Sequence, residues 1–170
     1  CHYMAQAAEA IDFLNSRHHQ VDGKRVGFQH ADIKPSNILV SEDTVKLADF
    51  GLAVPLSQPR VHRSACGTAH FAAAEVFQSQ LTDRSDQYSL AVTYCLLRGG
   101  RLPFAGDPGS FRTSYVRPTP DLTMLPDNER PIIARALSPS PGDRWPNCIA
   151  MVDAIARVHQ LDLMEISVSR

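Results

Sequence analysis

What this chain lacks narrows it first. No apolar run approaches the roughly 20 residues that a membrane-spanning helix needs, so no membrane segment is expected in it. No signal-peptide pattern opens it. The formal net charge is only −1, which gives no support to a nucleic-acid or membrane partner. The four cysteines, Cys1, Cys66, Cys95 and Cys148, are scattered, with no Cys-x-x-Cys pair. That argues against a disulfide scaffold or a zinc site and fits a reducing, cytoplasmic setting. No Gly-x-Gly-x-x-Gly string occurs, so the glycine loop that cradles nucleotide phosphates is missing. There is no internal repeat and no low-complexity segment. What remains is an ordinary globular composition, 44% hydrophobic and 21% charged over 170 residues, with room for one core.

The informative stretch is Phe28 to Leu52, FQHADIKPSNILVSEDTVKLADFGL. It holds His30-x-Asp32-x-Lys34-Pro35-x-Asn37, a short apolar hairpin, then Asp49-Phe50-Gly51. Ile38-Leu39-Val40 and Val45-Lys46-Leu47 read as strands around Ser41–Thr44. The hairpin puts Asn37 at one strand's start and Asp49 just beyond the other's end, so both can approach one site. Asp32 can accept the proton of a hydroxyl, and Lys34 can place positive charge on a transferring phosphoryl group. Asn37 and Asp49 offer hard oxygen atoms of the kind that suit Mg²⁺. Such a set fits phosphoryl transfer, which needs positioning and charge neutralisation more than covalent help.

These residues resemble the catalytic core of eukaryotic-type Ser/Thr protein kinases. His30 to Asn37 matches the H-R-D-L-K-P-x-N loop, and Asp49-Phe50-Gly51 matches D-F-G. The resemblance implies Asp32 as catalytic base and Asn37 and Asp49 as magnesium ligands. It implies Leu39 as the floor under the adenine of ATP, with Lys34 serving a Ser/Thr acceptor. Phe50 and His30 would pack together, and Gly51 would let the backbone turn. Ala31 stands where the family has Arg, which argues against activation by pairing that Arg with a phosphate.

The rest of the chain extends the likeness. Residues 1 to 16 carry apolar positions at helical spacing (Tyr3, Met4, Ala7, Ala8, Ile11, Leu14). Arg17 to Gly27 is polar, with Asp22-Gly23 as a turn signal, and reads as an inserted surface loop. His18-His19 within it lacks an obvious third metal ligand. Gly51 to Glu75 resembles an activation segment; Ser57 and Ser64 are exposed-hydroxyl candidates for phosphorylation, and Cys66 reads as an inert small residue. Gly67 to Glu75 resembles G-T-x-x-Y/F-x-A-P-E, in which Thr68 would bond to Asp32 and Lys34. Arg84 to Leu97 is apolar almost all round, the pattern of a central core helix, ended by Gly99-Gly100. Its Asp86 would hold the catalytic loop's backbone, a role compatible with capping the helix. The Pro- and Gly-rich stretch from Arg101 to Asp127 includes Pro103-Phe104-x-Gly106, and the helix that follows P-F-x-G in the family reads as reduced here. Asn128 to Leu137 reads as a short helix. Arg144 matches the Arg that pairs with the Glu of A-P-E, here Glu75. Trp145 to Val158 closes the unit, with Ile149, Val152, Ile155 and His159 at helical spacing.

The expected fold is mainly α with a small β-hairpin, the C-terminal lobe of an α+β kinase fold with its N-terminal lobe absent. The lobe is expected over 1–160, with 161–170 as tail or linker, and an N-terminal lobe upstream. The expected function is a Ser/Thr protein kinase using ATP and Mg²⁺ on a protein acceptor, inactive as this lobe alone. Alternatives are a non-catalytic scaffold and a small-molecule phosphotransferase, the latter disfavoured by Lys34-Pro35, the Gly67–Glu75 stretch and Arg144.

Overall fold

The computed structural model describes residues 1–56, 69–78, 80–106 and 116–168, with side chains described as far as residue 160. Ser57, Ser64, Cys66, Gly67 and Thr68 lie outside the described residues, as does most of the stretch expected to hold a reduced helix.

A central helix organises the lobe. Helix α1 spans His2–Asn15, α2 Ala74–Phe77, α3 Ser85–Gly99, α4 Arg130–Ala136 and α5 Cys148–Val168. Every residue of α3 from Ser85 to Cys95 is buried, including the polar Ser85, Asp86, Gln87, Ser89 and Thr93. Its Tyr88, Leu90 and Val92 share one core with Ile11 of α1, Ile133 of α4 and Met151 and Ile155 of α5. Helix α3 ends at Gly100, whose φ of 73° no side chain adopts cheaply.

Helices α1 and α5 pack directly and are also tied end to side. The Asp12 carboxylate accepts from the first backbone N–H groups of α5, Cys148 and Ile149, both at 2.9 Å. A side chain from one helix therefore satisfies donors that the other cannot satisfy itself. Helix α5 continues to Val168, into the stretch read as tail or linker. Its buried stripe is Cys148, Met151, Val152 and Ile155, whereas Ile149 lies on the exposed side.

Three two-stranded antiparallel pairs flank the helices. Strands β1 (His19–Val21) and β2 (Lys24–Val26) pair with Gln20 opposite Arg25. The expected loop over Arg17–Gly27 is thus a hairpin. Its turn residues Asp22 and Gly23 both have positive φ, 49° and 75°, as the tight primed turn demands. Strand β3 (Phe28–Gln29) pairs with β6 (Val54–Pro55), which brings the two ends of the informative stretch together. Between them β4 (Ile38–Ser41) and β5 (Thr44–Leu47) form the expected hairpin, Ile38 opposite Leu47. Its turn, Glu42-Asp43, is again left-handed at both positions.

Candidate active site

The loop from His30 to Asn37 is held from beneath by α3. The backbone N–H groups of His30 and Ala31 donate to the two oxygens of Asp86, at 2.7 and 2.9 Å. Ala31 has a φ of 63°, a left-handed turn that brings consecutive N–H groups to one carboxylate. Asp86 is buried, and burial pushes its carboxyl up to about 6 against the opposing pull of those two N–H groups and of His30. It is not the helix cap: that position is Arg84, without a side-chain bond. The backbone N–H of Asp86 in turn donates to Gln29 Oε1 at 3.0 Å, and Gln29 Nε2 donates to Asn15 Oδ1. Gln29, fully buried, therefore ties the end of α1 to the start of α3. Nothing in its sequence context marked it, since an amide beside His30 looks like any loop residue.

The carboxylate of Asp32 is also buried, and its two oxygens differ. Oδ2 accepts from Asn37 Nδ2 and from Lys34 Nζ, both at 2.9 Å. Oδ1 is buried and has no hydrogen-bond partner among the described residues. Asn37 Nδ2 also donates to the Asp32 carbonyl at 2.9 Å, so its nitrogen is spent on fixing Asp32 and its Oδ1 is left for another group. Among the described residues, only a 3.5 Å contact from Ser36 reaches that oxygen. Pro35 to Asn37 form a single tight helical turn, and the Asn37 carbonyl accepts from Ala48 N–H at 2.9 Å. The hairpin thus returns the chain beside Asn37 just before Asp49.

Asp49 has a φ of 61° and an exposed carboxylate, loosely bonded by Gly51 N–H at 3.3 Å. A Cβ on Gly51 would sit 3.2 Å from that carboxylate oxygen, tighter than usual. Phe50 packs on His30 with ring centroids 4.8 Å apart, and His30 Nε2 lies 3.0 Å from the Ala48 carbonyl. The carbonyl can only accept, so that nitrogen carries the proton. Leu39, Val40 and Phe50 remain about half exposed.

The activation-segment end is pinned separately. Glu75 on α2 accepts from Arg144 in a two-pronged pair, Nη1 to Oε1 at 2.7 Å and Nη2 to Oε2 at 2.9 Å. Both side chains are buried, and the other donors are satisfied. Ser85 Oγ donates to Glu75, while Arg144 also donates to the carbonyls of Ser138 and Arg84 and lies over the Tyr88 ring. Arg117, which sequence reasoning passed over, donates to the carbonyls of Ala69 and Ala72 and lies over the rings of Phe77 and Phe104. The geometry therefore bonds Asp32, Lys34 and Asn37 together and returns the chain beside Asn37 one residue before Asp49, with Asp86 holding the loop's backbone and Glu75 and Arg144 paired as a buried brace.

Comparison with known proteins addresses the chain as a whole. The family model described as protein kinase domain matches residues 1–146. Serine/threonine-protein kinase PknL of Mycobacterium tuberculosis is 35% identical over 156 residues, covering 85% of this chain and 39% of its own length. Serine/threonine-protein kinase PknA of Corynebacterium glutamicum is 32% identical over 165 residues, covering 91% of this chain and 33% of its own. The crystal structure of the Mycobacterium tuberculosis PknI kinase domain superposes with a TM-score of 0.62 at 27% identity, covering 91% of this chain and 53% of that one. The chain thus spans well under half the length of the curated relatives it matches.

Proposed function

Because this chain belongs to the protein kinase domain family, we propose that it supplies the catalytic loop of a Ser/Thr protein kinase, moving the γ-phosphoryl group of ATP to a protein hydroxyl. The observation that carries this reading is the split environment of Asp32. One oxygen is held by Asn37 and Lys34; the other is buried, acceptor-only and without a partner among the described residues.

In this reading Asp32 Oδ1 accepts the hydrogen bond of the incoming Ser or Thr hydroxyl, orients it for attack and takes its proton. Lys34, held at Oδ2, keeps a positive charge beside the group in transfer. Asn37 Oδ1 and the Asp49 carboxylate are hard donors and fit a magnesium ion, which when bound neutralises phosphate charge. Their fit rests on this structure: the Asn37 nitrogen is committed to Asp32, and Asp49 is exposed with one weak internal bond. Leu39 would form the floor under the adenine. The half-exposed rim of Leu39, Val40 and Phe50 is the seat of an N-terminal lobe supplied from upstream, which carries the phosphate-gripping loop. The proposed acceptor is a cytoplasmic protein. Among the described residues no helix is long and apolar enough to cross a membrane.

The test is transfer of label from γ-labelled ATP to a generic protein acceptor by the full gene product. Asp32→Asn should lower the rate by about 10²–10⁴-fold while leaving the melt cooperative, since general-base catalysis is worth that much. Equal rates in parent and variant would exclude Asp32 from the chemistry.

A further inference from the structure

Away from this site, four elements meet around one buried carboxylate. Glu129, fully buried at the start of α4, accepts Tyr94 Oη of α3 at Oε2 (2.8 Å). Its Oε1 accepts Arg98 Nε and Nη2 of α3 at 3.2 and 3.1 Å, and His159 Nε2 of α5 at 2.7 Å. On the opposite edge of the His159 ring, Nδ1 lies 3.0 Å from Sγ of Cys1, the residue that caps the N-terminus of α1. Cys1 is exposed, whereas Cys95 and Cys148 are buried. The proposed phosphoryl transfer uses none of these groups.

The proton positions follow from the partners. Burial pulls the Glu129 carboxyl upward, but the bonds from His159, Arg98 and Tyr94 together carry it below the ordinary value, so it is an anion that can only accept. His159 Nε2 must then bear the hydrogen. In the neutral ring that leaves Nδ1 as a lone pair, aimed at the thiol. This is the arrangement of an activated nucleophile: thiol and base within hydrogen-bond reach, and the base oriented by a third group.

We infer that Cys1, His159 and Glu129 form a thiol-modification site, at which Cys1 reacts with hydroperoxides and with soft alkylating electrophiles. In the peroxide reaction the thiol proton passes to His159 Nδ1. The thiolate sulfur attacks one peroxide oxygen, an S–O bond forms and the O–O bond breaks. Sulfur is oxidised to the sulfenic acid and the peroxide is reduced. The departing hydroxide or alkoxide takes the proton back from His159 and leaves as water or alcohol. With an alkyl iodide the same thiolate forms an S–C bond and iodide departs. The Glu129 carboxylate, bonded to the far edge of the ring, stabilises the imidazolium that forms when His159 takes the thiol proton. Cys1 lies where α1 meets α5, so a modified sulfur would break its bond to His159 and loosen that joint.

The experiment is timed labelling of the whole chain with iodoacetamide at pH 7, followed by peptide mapping that scores each of the four cysteines separately. Native Cys1 should react on the order of tenfold faster than Cys1 in the urea-unfolded chain, and faster than Cys95 and Cys148 in the native one. His159→Gln should bring native Cys1 back to the unfolded rate. Hydrogen peroxide with a sulfenic-acid trap should then mark Cys1 first. A native rate equal to the unfolded one, or a rate indifferent to His159→Gln, would overturn the inference. Should His159→Gln fail to fold, the native-against-unfolded comparison in the parent decides alone.

Discussion

The sharpest consequences belong to single buried side chains. Glu75 and Arg144 neutralise each other out of water, and removing one leaves the other as an uncompensated buried charge. Glu75→Ala should therefore cost about 3–5 kcal/mol in a urea melt. A melt superimposable on the parent's would show that the brace carries no stability. Asp86 gives a pH signature of definite sign. Its carboxyl sits at about 6 in the folded chain against an ordinary value near 3.8, so the folded state holds the proton more tightly. Below about pH 4 the group is neutral in both states; from there to about pH 6 its contribution to stability falls, and above that the loss is complete, on the order of 3 kcal/mol. Relative to Asp86→Asn, the parent should accordingly be more stable at pH 4 than at pH 7, as read by paired denaturant melts. A constant difference across that range would contradict it. Asp86 and Arg144 were legible through the family resemblance, which implies a distant partner for each. Glu129 was not: a Glu next to a Pro-rich stretch looks like a solvated surface charge. Its partners Tyr94, Arg98 and His159 lie about thirty residues away on either side, where no local pattern reaches.

Elements depend on close approaches that few residues permit. Gly27 follows β2 and passes against the last turn of α1; a Cβ there would lie 2.0 Å from the Asn15 carbonyl oxygen and 2.8 Å from its carbon. Both are backbone atoms that cannot swing aside. Gly27→Ala should destabilise by roughly 1–3 kcal/mol or more, the usual cost of forcing an atom into filled space. An unchanged denaturation midpoint would mean that the β1–β2 hairpin shifts freely against α1. That hairpin shows where pattern reading failed and why. Its Asp22-Gly23 turn is a strong hairpin signal, yet the flanking residues are mostly charged or polar and alternate no apolar face. Composition therefore read as loop while the turn chemistry specified a ribbon. The β4–β5 hairpin was legible because Ile38, Leu39, Val40, Val45 and Leu47 supply β-type runs on both sides of its turn. Helix α5 was expected over 145–158 but runs Cys148–Val168, and Ile149 is turned outward because Asp12 draws the first turn of α5 toward α1.

At the scale of the molecule, the helices build a platform and the Phe28–Pro55 stretch is strapped onto it by Asp86, Gln29 and the β3–β6 pair. The platform holds the loop through its backbone, so the side chains of Asp32, Lys34 and Asn37 are free to bond to one another. Leu39, Val40 and Phe50 stay about half exposed, apolar surface that the proposed second lobe would cover in part. This lobe alone should accordingly transfer no measurable phosphate, while its covalent continuation with an upstream lobe should. The most direct measurement is phospho-amino-acid analysis of a protein acceptor after incubation with Mg·ATP and the full gene product, run beside Asp32→Asn. The account predicts phosphoserine and phosphothreonine that depend on Asp32. Label confined to tyrosine or to a small molecule, or serine label that survives Asp32→Asn undiminished, would contradict it.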